Sequence, residues 1–314
     1  MKKIIAFLQL LRWPNLMFIA ITQLLFHYCI IEHNLISISI EPKINGFNLF
    51  LIILASICIA GAGNIINDYF DVNIDVINKP NKVIINQFIN RRWAIFWHLV
   101  LSAFGIGLSF FVALSINFIW IGILNSIAVI LLFIYSASLK KKFIIGNVII
   151  SLLTAWVILV LVLPEYFELI KYRFFSLENY YKIFRLGILY ATFSFIISLI
   201  REVIKDIEDI DGDRQNACKT MPIVLGINAT KVFITVWLIV IIALLIIAQA
   251  YVVSFGWWFS IIYAFVFLIW PLVSIQKKLI KANTNNEFSA LSKKVKWVML
   301  YGILSMLFFA YYLK

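Results

Sequence analysis

The stretch NIINDYFDVNID, residues 64–75, decides how this chain is read. It closes an apolar run that looks like a membrane helix, yet it carries three aspartates, Asp68, Asp71 and Asp75. A carboxylate beside hydrocarbon is costly, so an ionisable residue placed there points to function. The spacing i, i+3, i+7 sets all three on one face of a helix.

The rest of the chain says what kind of helix this is. Of 314 residues, 63% are hydrophobic and only 13% charged, with a mean hydropathy of +0.99. Soluble domains hold roughly 45–50% apolar and about 25% charged residues. The composition therefore predicts an all-α polytopic membrane protein, a single transmembrane domain over 1–314. Apolar segments of spanning length fall at 15–38, 47–66, 93–115, 117–137, 143–163, 184–201, 231–253, 256–275 and 295–313, which makes nine spans in one bundle. The short break around Ser254–Gly256 predicts that the seventh and eighth spans form an antiparallel hairpin. No small-residue cleavage pattern follows the first apolar run, which reads as a retained span.

Charge sets the orientation. With the N-terminus cytoplasmic, the inner segments carry 21 of the lysines and arginines and the outer ones 6, the bias that the positive-inside rule describes. The net charge of +12 then faces anionic lipid and, on a sharper reading, a phosphorylated substrate. These basic residues lie on short loops between spans, which argues against a nucleic-acid partner. Cys29, Cys58 and Cys218 are scattered and suggest neither a disulfide framework nor a zinc site. Residues 165–182, EYFELIKYRFFSLENYYK, mix charges with aromatics and read as an interfacial amphipathic segment.

The remaining aspartates form a second cluster in KDIEDIDGD, residues 205–213. Asp206, Asp209 and Asp213 repeat the spacing of the first group, and Glu202 extends the stripe by one turn. Asp211 points away unless Gly212 bends the helix. Each cluster ends a span that runs inward, the second and the sixth. This weak internal duplication predicts two acidic stripes facing each other across the cytoplasmic mouth of one cavity. Stacked carboxylates need cations. Hard oxygen ligands, one or two carboxylates per ion with phosphate completing the shell, describe Mg²⁺. The predicted metal ligands are Asn67, Asp68, Asp71, Asp75, Asp206, Asp209 and Asp213. Lys79, Lys82, Lys140, Lys141, Arg201, Lys205 and Arg214 are the candidates to hold the rest of a diphosphate's charge.

At these residues the sequence resembles the UbiA superfamily of intramembrane prenyltransferases. That family has nine transmembrane helices and two aspartate-rich motifs, N-D-x-x-D-x-x-x-D and D-x-x-D-x-x-x-D, matched here by residues 67–75 and 206–213. Further likeness lies in LRWPN (11–15), YSASLKKKFIIGN (135–147) and DGDRQNACKTMPIVLG (211–226). The resemblance implies a prenyl diphosphate held through Mg²⁺ by the six catalytic aspartates. It also implies a tail in an apolar groove open to membrane lipid, and a lipophilic acceptor contacted by Arg12, Asn15, Tyr135 and Ser136. The loops 76–92 and 214–230 are the candidate lid. Ile77 to Lys82 make the sequence most like the geranylgeranylglyceryl-phosphate geranylgeranyltransferase branch, with Lys79 and Lys82 for arginines; Ala217 stands where the family usually has glycine.

The acceptor stays open at this level. A glyceryl phosphate bearing a geranylgeranyl chain needs spare cations, for which Lys140 to Lys142 with Arg12 are the candidates. The alternatives are an aromatic acceptor, such as 4-hydroxybenzoate or a quinone precursor, and a cation-coupled transporter in which the acids form an ion site. The paired stripes predict that Asp71→Ala or Asp209→Ala lowers prenyl transfer by roughly 100-fold or more while the protein still inserts. Turnover in reconstituted membranes checks this, and near-wild-type activity in either variant contradicts it.

Overall fold

The computed structural model describes residues 2–36, 39–78, 83–171 and 177–312. Among these residues nine helices are long and apolar enough to cross a membrane: Trp13–Ile36, Gly46–Asn78, Arg91–Ser115, Trp120–Ala137, Ile145–Ile170, Tyr181–Glu208, Ile227–Val253, Trp258–Lys281 and Asn285–Tyr312. The only β-type pairing among them is an isolated bridge between Ile85 and Ile89.

Several boundaries differ from the hydropathy reading in one direction. The second helix continues past 66 to Asn78, and the sixth past 201 to Glu208. Hydropathy measures what hydrocarbon tolerates, whereas a helix continues wherever nothing breaks it. NDYFDVNIDVIN contains neither Gly nor Pro, so the backbone carries the aspartates on regular turns. The fifth helix likewise runs on through Pro164 to Lys171. The expected interfacial segment at 165–182 is therefore corrected. Glu165 to Ile170 complete the fifth span and Tyr181 opens the sixth, while 172–176 lie outside the described residues.

Two layers of packing organise the bundle. The second span packs along the third and fourth, and the sixth along the fifth, seventh and ninth. One apolar core draws Phe26, Leu49, Ile121 and Leu161 together, and another gathers Val203, Leu238, Leu272 and Val295. Large apolar side chains such as Trp258, Phe259 and Trp270 remain outward-facing, as a lipid-covered surface requires. The first span departs from α-geometry over Phe26–Glu32, which is π-helical.

At the end of the bundle away from the aspartates, Glu165 is only 1% exposed. Its carboxylate accepts from the backbone N–H groups of Lys43 (3.0 Å) and Ile44 (2.8 Å). Lys43 in turn places its Nζ 2.5 Å from Glu168. The segment leading into the second span is thereby tied to the end of the fifth. Removing the acceptor leaves two donors unsatisfied, at about 1–3 kcal/mol each. Glu165→Ala is thus expected to destabilise the fold by about 2–4 kcal/mol, read as an earlier midpoint in SDS-induced unfolding from mixed micelles, whereas Glu165→Gln recovers part of the loss.

Candidate active site

Both acidic stripes reach one cavity of about 650 Å³, whose wall contains Asp68, Asp71, Asp75, Asp206, Asp209 and Asp213. The first stripe stays on continuous helix to Asn78. The second does not. Its helix stops at Glu208, Asp209 adopts φ −99°, ψ 10°, and a short helix over Ile210–Gln215 carries Asp213. Asp211 is exposed and accepts from Asn285 Nδ2 at 3.2 Å, away from the cavity.

The two motif ends are joined by Asn78. Its Oδ1 accepts from the Gly212 N–H at 2.8 Å and its Nδ2 donates to the Asp209 carbonyl at 3.0 Å. A Cβ on residue 212 would come within 2.5 Å of the Asn78 amide, so only glycine permits this approach. Ala217 then sits at φ 55° in the left-handed region, which glycine adopts with less strain than alanine. Gly146 has a second close contact, since a Cβ there would lie 2.7 Å from the Lys140 Cα. That packing seats the 139–141 turn beside the cavity.

Each stripe has basic and amide partners. Arg12 Nη2 lies 2.6 Å from Asp68 Oδ1. Arg12 itself adopts φ 54°, ψ 48° at the start of the first span, an uncommon conformation for an arginine. The charge of Asp68 drives the Arg12 pKa upward against the effect of burial. Lys140 pairs with Asp71, which also accepts from Asn67 Nδ2 at 2.7 Å. Asn147 Nδ2 donates to Asp206 Oδ2 at 2.8 Å. Glu202 is bracketed by Arg201 (3.0 Å) and Lys205 (2.8 Å). Cys218, also in the wall, is pushed up to about 11 by burial, with Asp213 adding to the shift.

A metal fits this wall in a specific way. Among the described residues no three Asp, Glu, His or Cys side chains form a ready-made metal cluster. The described wall nevertheless holds eight carboxylates, the six aspartates with Glu202 and Glu208, against five cations, Arg12, Lys140, Arg201, Lys205 and Lys293. Asn67 Oδ1 is buried without a hydrogen-bond partner. An excess of acid, a spare neutral oxygen and no closed cage suit an ion that brings phosphate ligands with it.

Some expected residues are not brought to this cavity. Ser136 is fully buried and spends its hydroxyl on the Leu132 carbonyl at 2.8 Å. It lines neither described cavity, so the structure does not bring it to the expected acceptor contact. Arg214 is exposed outside the wall, and Lys141 contributes a backbone carbonyl to the Lys219 N–H at 2.7 Å. Lys79 and Lys82 lie outside the described residues. Of the candidate lid, Val83, Ile84 and Phe88 line the cavity from one loop and Cys218 and Thr220 from the other.

A second cavity, about 290 Å³ and mostly apolar, adjoins the first. Arg12, Asn15, Asn67, Tyr135, Arg201, Glu202 and Lys205 line both. Beyond them its wall is formed by residues such as Ile19, Ala60, Leu153, Ile197 and Ile303. Sequence reasoning gave no role to Asn78, to Asn147 or to Lys296, whose Nζ donates to Asn15 Oδ1 at 2.6 Å in this second wall. Lys296 had a weak signal in the sequence, as the last cation of KKVK (293–296), two residues before the apolar run VMLYGIL.

Comparison with known proteins follows this geometry. Residues 35–300 match the UbiA prenyltransferase family. The digeranylgeranylglyceryl phosphate synthase of Methanosphaera stadtmanae is 31% identical over 259 residues, 81% of this chain and 86% of that one. The enzyme of the same name from Sulfurisphaera tokodaii is 30% identical over 270 residues, 86% and 87% of the two chains. Among solved structures, one of digeranylgeranylglyceryl phosphate synthase superposes with a TM-score of 0.60 at 24% identity, covering 98% of this chain and 99% of that one. A UbiA homolog from Archaeoglobus fulgidus bound to GPP and Mg²⁺ gives 0.54 at 15% identity, covering 96% and 99%.

The Asn78 bridge yields a direct expectation. Gly212→Ala forces Asn78 away and shifts the second stripe relative to the first, and misplacement on the ångström scale costs roughly 10–100-fold in rate. Turnover of Gly212→Ala and Asn78→Ala in nanodiscs is expected to fall by similar factors, with no further loss in the double variant, as for two residues acting through one contact.

Proposed function

Since the chain belongs to the UbiA prenyltransferase family, we propose that it transfers a geranylgeranyl group from geranylgeranyl diphosphate to geranylgeranylglyceryl phosphate, with Mg²⁺, at the cytoplasmic face of the membrane. One observation carries this reading: an acid-lined polar chamber adjoins an apolar one, and the two share seven wall residues. That shape suits an amphiphile with a diphosphate head and an isoprenoid tail. The whole chain then works as one transmembrane domain.

The six aspartates and Asn67 would hold Mg²⁺, which when bound with the diphosphate neutralises the leaving pyrophosphate. The protein's own groups do the rest. Arg12 and Lys140, already paired with Asp68 and Asp71, keep the stripe from collapsing outward and offer their remaining donors to phosphate oxygens. The apolar chamber keeps the tail extended and water away from the allylic carbon, where hydrolysis competes with transfer. The acceptor oxygen then forms the new ether bond to the allylic carbon as the allylic C–O bond breaks, the bonding pair leaving with pyrophosphate, which takes up the hydroxyl proton.

The glyceryl phosphate acceptor is supported by the shared name of the relatives and by the basic residues around the shared wall. The cytoplasmic orientation is supported by the 21 to 6 distribution of basic residues. Nanodiscs supplied with labelled geranylgeranyl diphosphate, Mg²⁺ and either geranylgeranylglyceryl phosphate or 4-hydroxybenzoate test the reading. Product is expected with the glyceryl phosphate, and product with the phenol alone overturns the acceptor. EDTA is expected to abolish transfer and added Mg²⁺ to restore it.

A further inference from the structure

The polar and apolar chambers share Arg12, Arg201, Lys205 and Glu202, and Lys296 lines only the apolar one. In the apolar one the ionisable wall residues are Arg12, Arg201, Lys205 and Lys296 against a single carboxylate, Glu202. Arg12 is taken by Asp68 of the polar chamber, and Glu202 is shared between Arg201 and Lys205. Two positive charges thus remain without a described counterion. One is Lys296 in the ninth span, whose Nζ has only a neutral amide oxygen, Asn15 Oδ1 at 2.6 Å, and the face of Phe18, 5.2 Å to the ring centroid. The other is the surplus of the Arg201–Lys205 pair, where Arg201 Nε is buried and finds no acceptor.

Uncompensated cations at this depth are costly, and they persist where a ligand supplies the missing charge. A metal-bound diphosphate does not answer this need, because its charge is directed at the acid-rich wall. Of the cations expected for the acceptor phosphate, Lys140 to Lys142 with Arg12, Lys140 is paired with Asp71 and Arg12 with Asp68. We propose that Lys296, with Arg201 and Lys205, forms a metal-independent anion site that takes the phosphomonoester of the acceptor. A phosphomonoester carries close to two negative charges near neutral pH, which matches the surplus. Bound there, it fixes the acceptor head at the junction of the two chambers, with its own tail in the apolar one. Asn15 is the positioning residue, since its amide holds the Lys296 ammonium in place. This inference rests on the glyceryl phosphate reading above and adds the residues that recognise the phosphate.

The test separates the two. Steady-state kinetics in nanodiscs are measured for wild type, Lys296→Gln and Lys296→Arg, varying each substrate in turn. Lys296→Gln is expected to raise the KM for geranylgeranylglyceryl phosphate about tenfold or more, with the KM for geranylgeranyl diphosphate held within twofold and largely recovered acceptor affinity in Lys296→Arg. Retention of the diphosphate KM also shows that the variant has folded. Equal rises in both KM values, or no change in the acceptor KM, overturn the anion site and leave the acceptor assignment standing. Wild-type turnover with 4-hydroxybenzoate alone overturns the assignment itself, and the phosphate site with it. A binding arm without Mg²⁺, using geranylgeranylglyceryl phosphate against geranylgeranylglycerol, is expected to show a preference for the phosphate form in wild type that Lys296→Gln loses. Equal binding of the two lipids by wild type overturns the proposal.

Discussion

Like charges crowded beside hydrocarbon set the constraint on which this molecule is built. The described wall of the polar chamber holds eight carboxylates and five cations, in a setting where charges are screened far less than in bulk water. The sequence answers that repulsion locally. Arg12 at the mouth of the first span, Lys140 on the turn before the fifth, and the Arg201–Lys205 pair around Glu202 each stand against a particular carboxylate. The elements bearing those cations are held where they are by this need. Even the left-handed backbone of Arg12 brings a guanidinium to Asp68, at an energetic cost that a free loop has no reason to bear.

The compensation is deliberately incomplete in two places, and in opposite directions. The polar chamber keeps an excess of acid and the adjoining apolar chamber an excess of base. One set of side chains, Arg12, Asn15, Tyr135 and the Arg201–Lys205 stretch, faces both. A reaction between two anionic amphiphiles needs this separation, because two negatively charged heads sharing one set of cations would repel each other. In the proposed reaction one anionic head would meet the acid-rich wall through a divalent ion, and the other would meet Lys296, which lines only the apolar chamber.

The fold was largely legible from composition and hydropathy, because a bilayer allows few solutions and nine apolar segments alternate cleanly with basic loops. The acidic stripes were legible because a helical period is written into the spacing of Asp68, Asp71 and Asp75. What escaped has one physical character: contacts between residues distant in sequence. Asn78 looks like a loop asparagine until Gly212 is seen against it. Glu165 looked like part of a surface segment until its carboxylate was found on two backbone amides across the bundle. Ser136 shared a motif with Tyr135 but faces the opposite way, toward the Leu132 carbonyl. Lys296 was counted as a topological charge, and only its pairing with Asn15 sets it apart.

The tie made by Glu165 has a mechanical side. It joins the start of the second span to the end of the fifth, whereas Asp68, Asp71 and Asp75 sit at the other end of the second helix and Lys140 on the turn that leads into the fifth. At 1.5 Å per residue, Gly46 and Asp71 are about 38 Å apart along the helix axis. The two rods are thus riveted at one tip and carry their charged surfaces at the other. Over such a lever, a tilt of a few degrees at the rivet becomes several ångströms of travel at the working end.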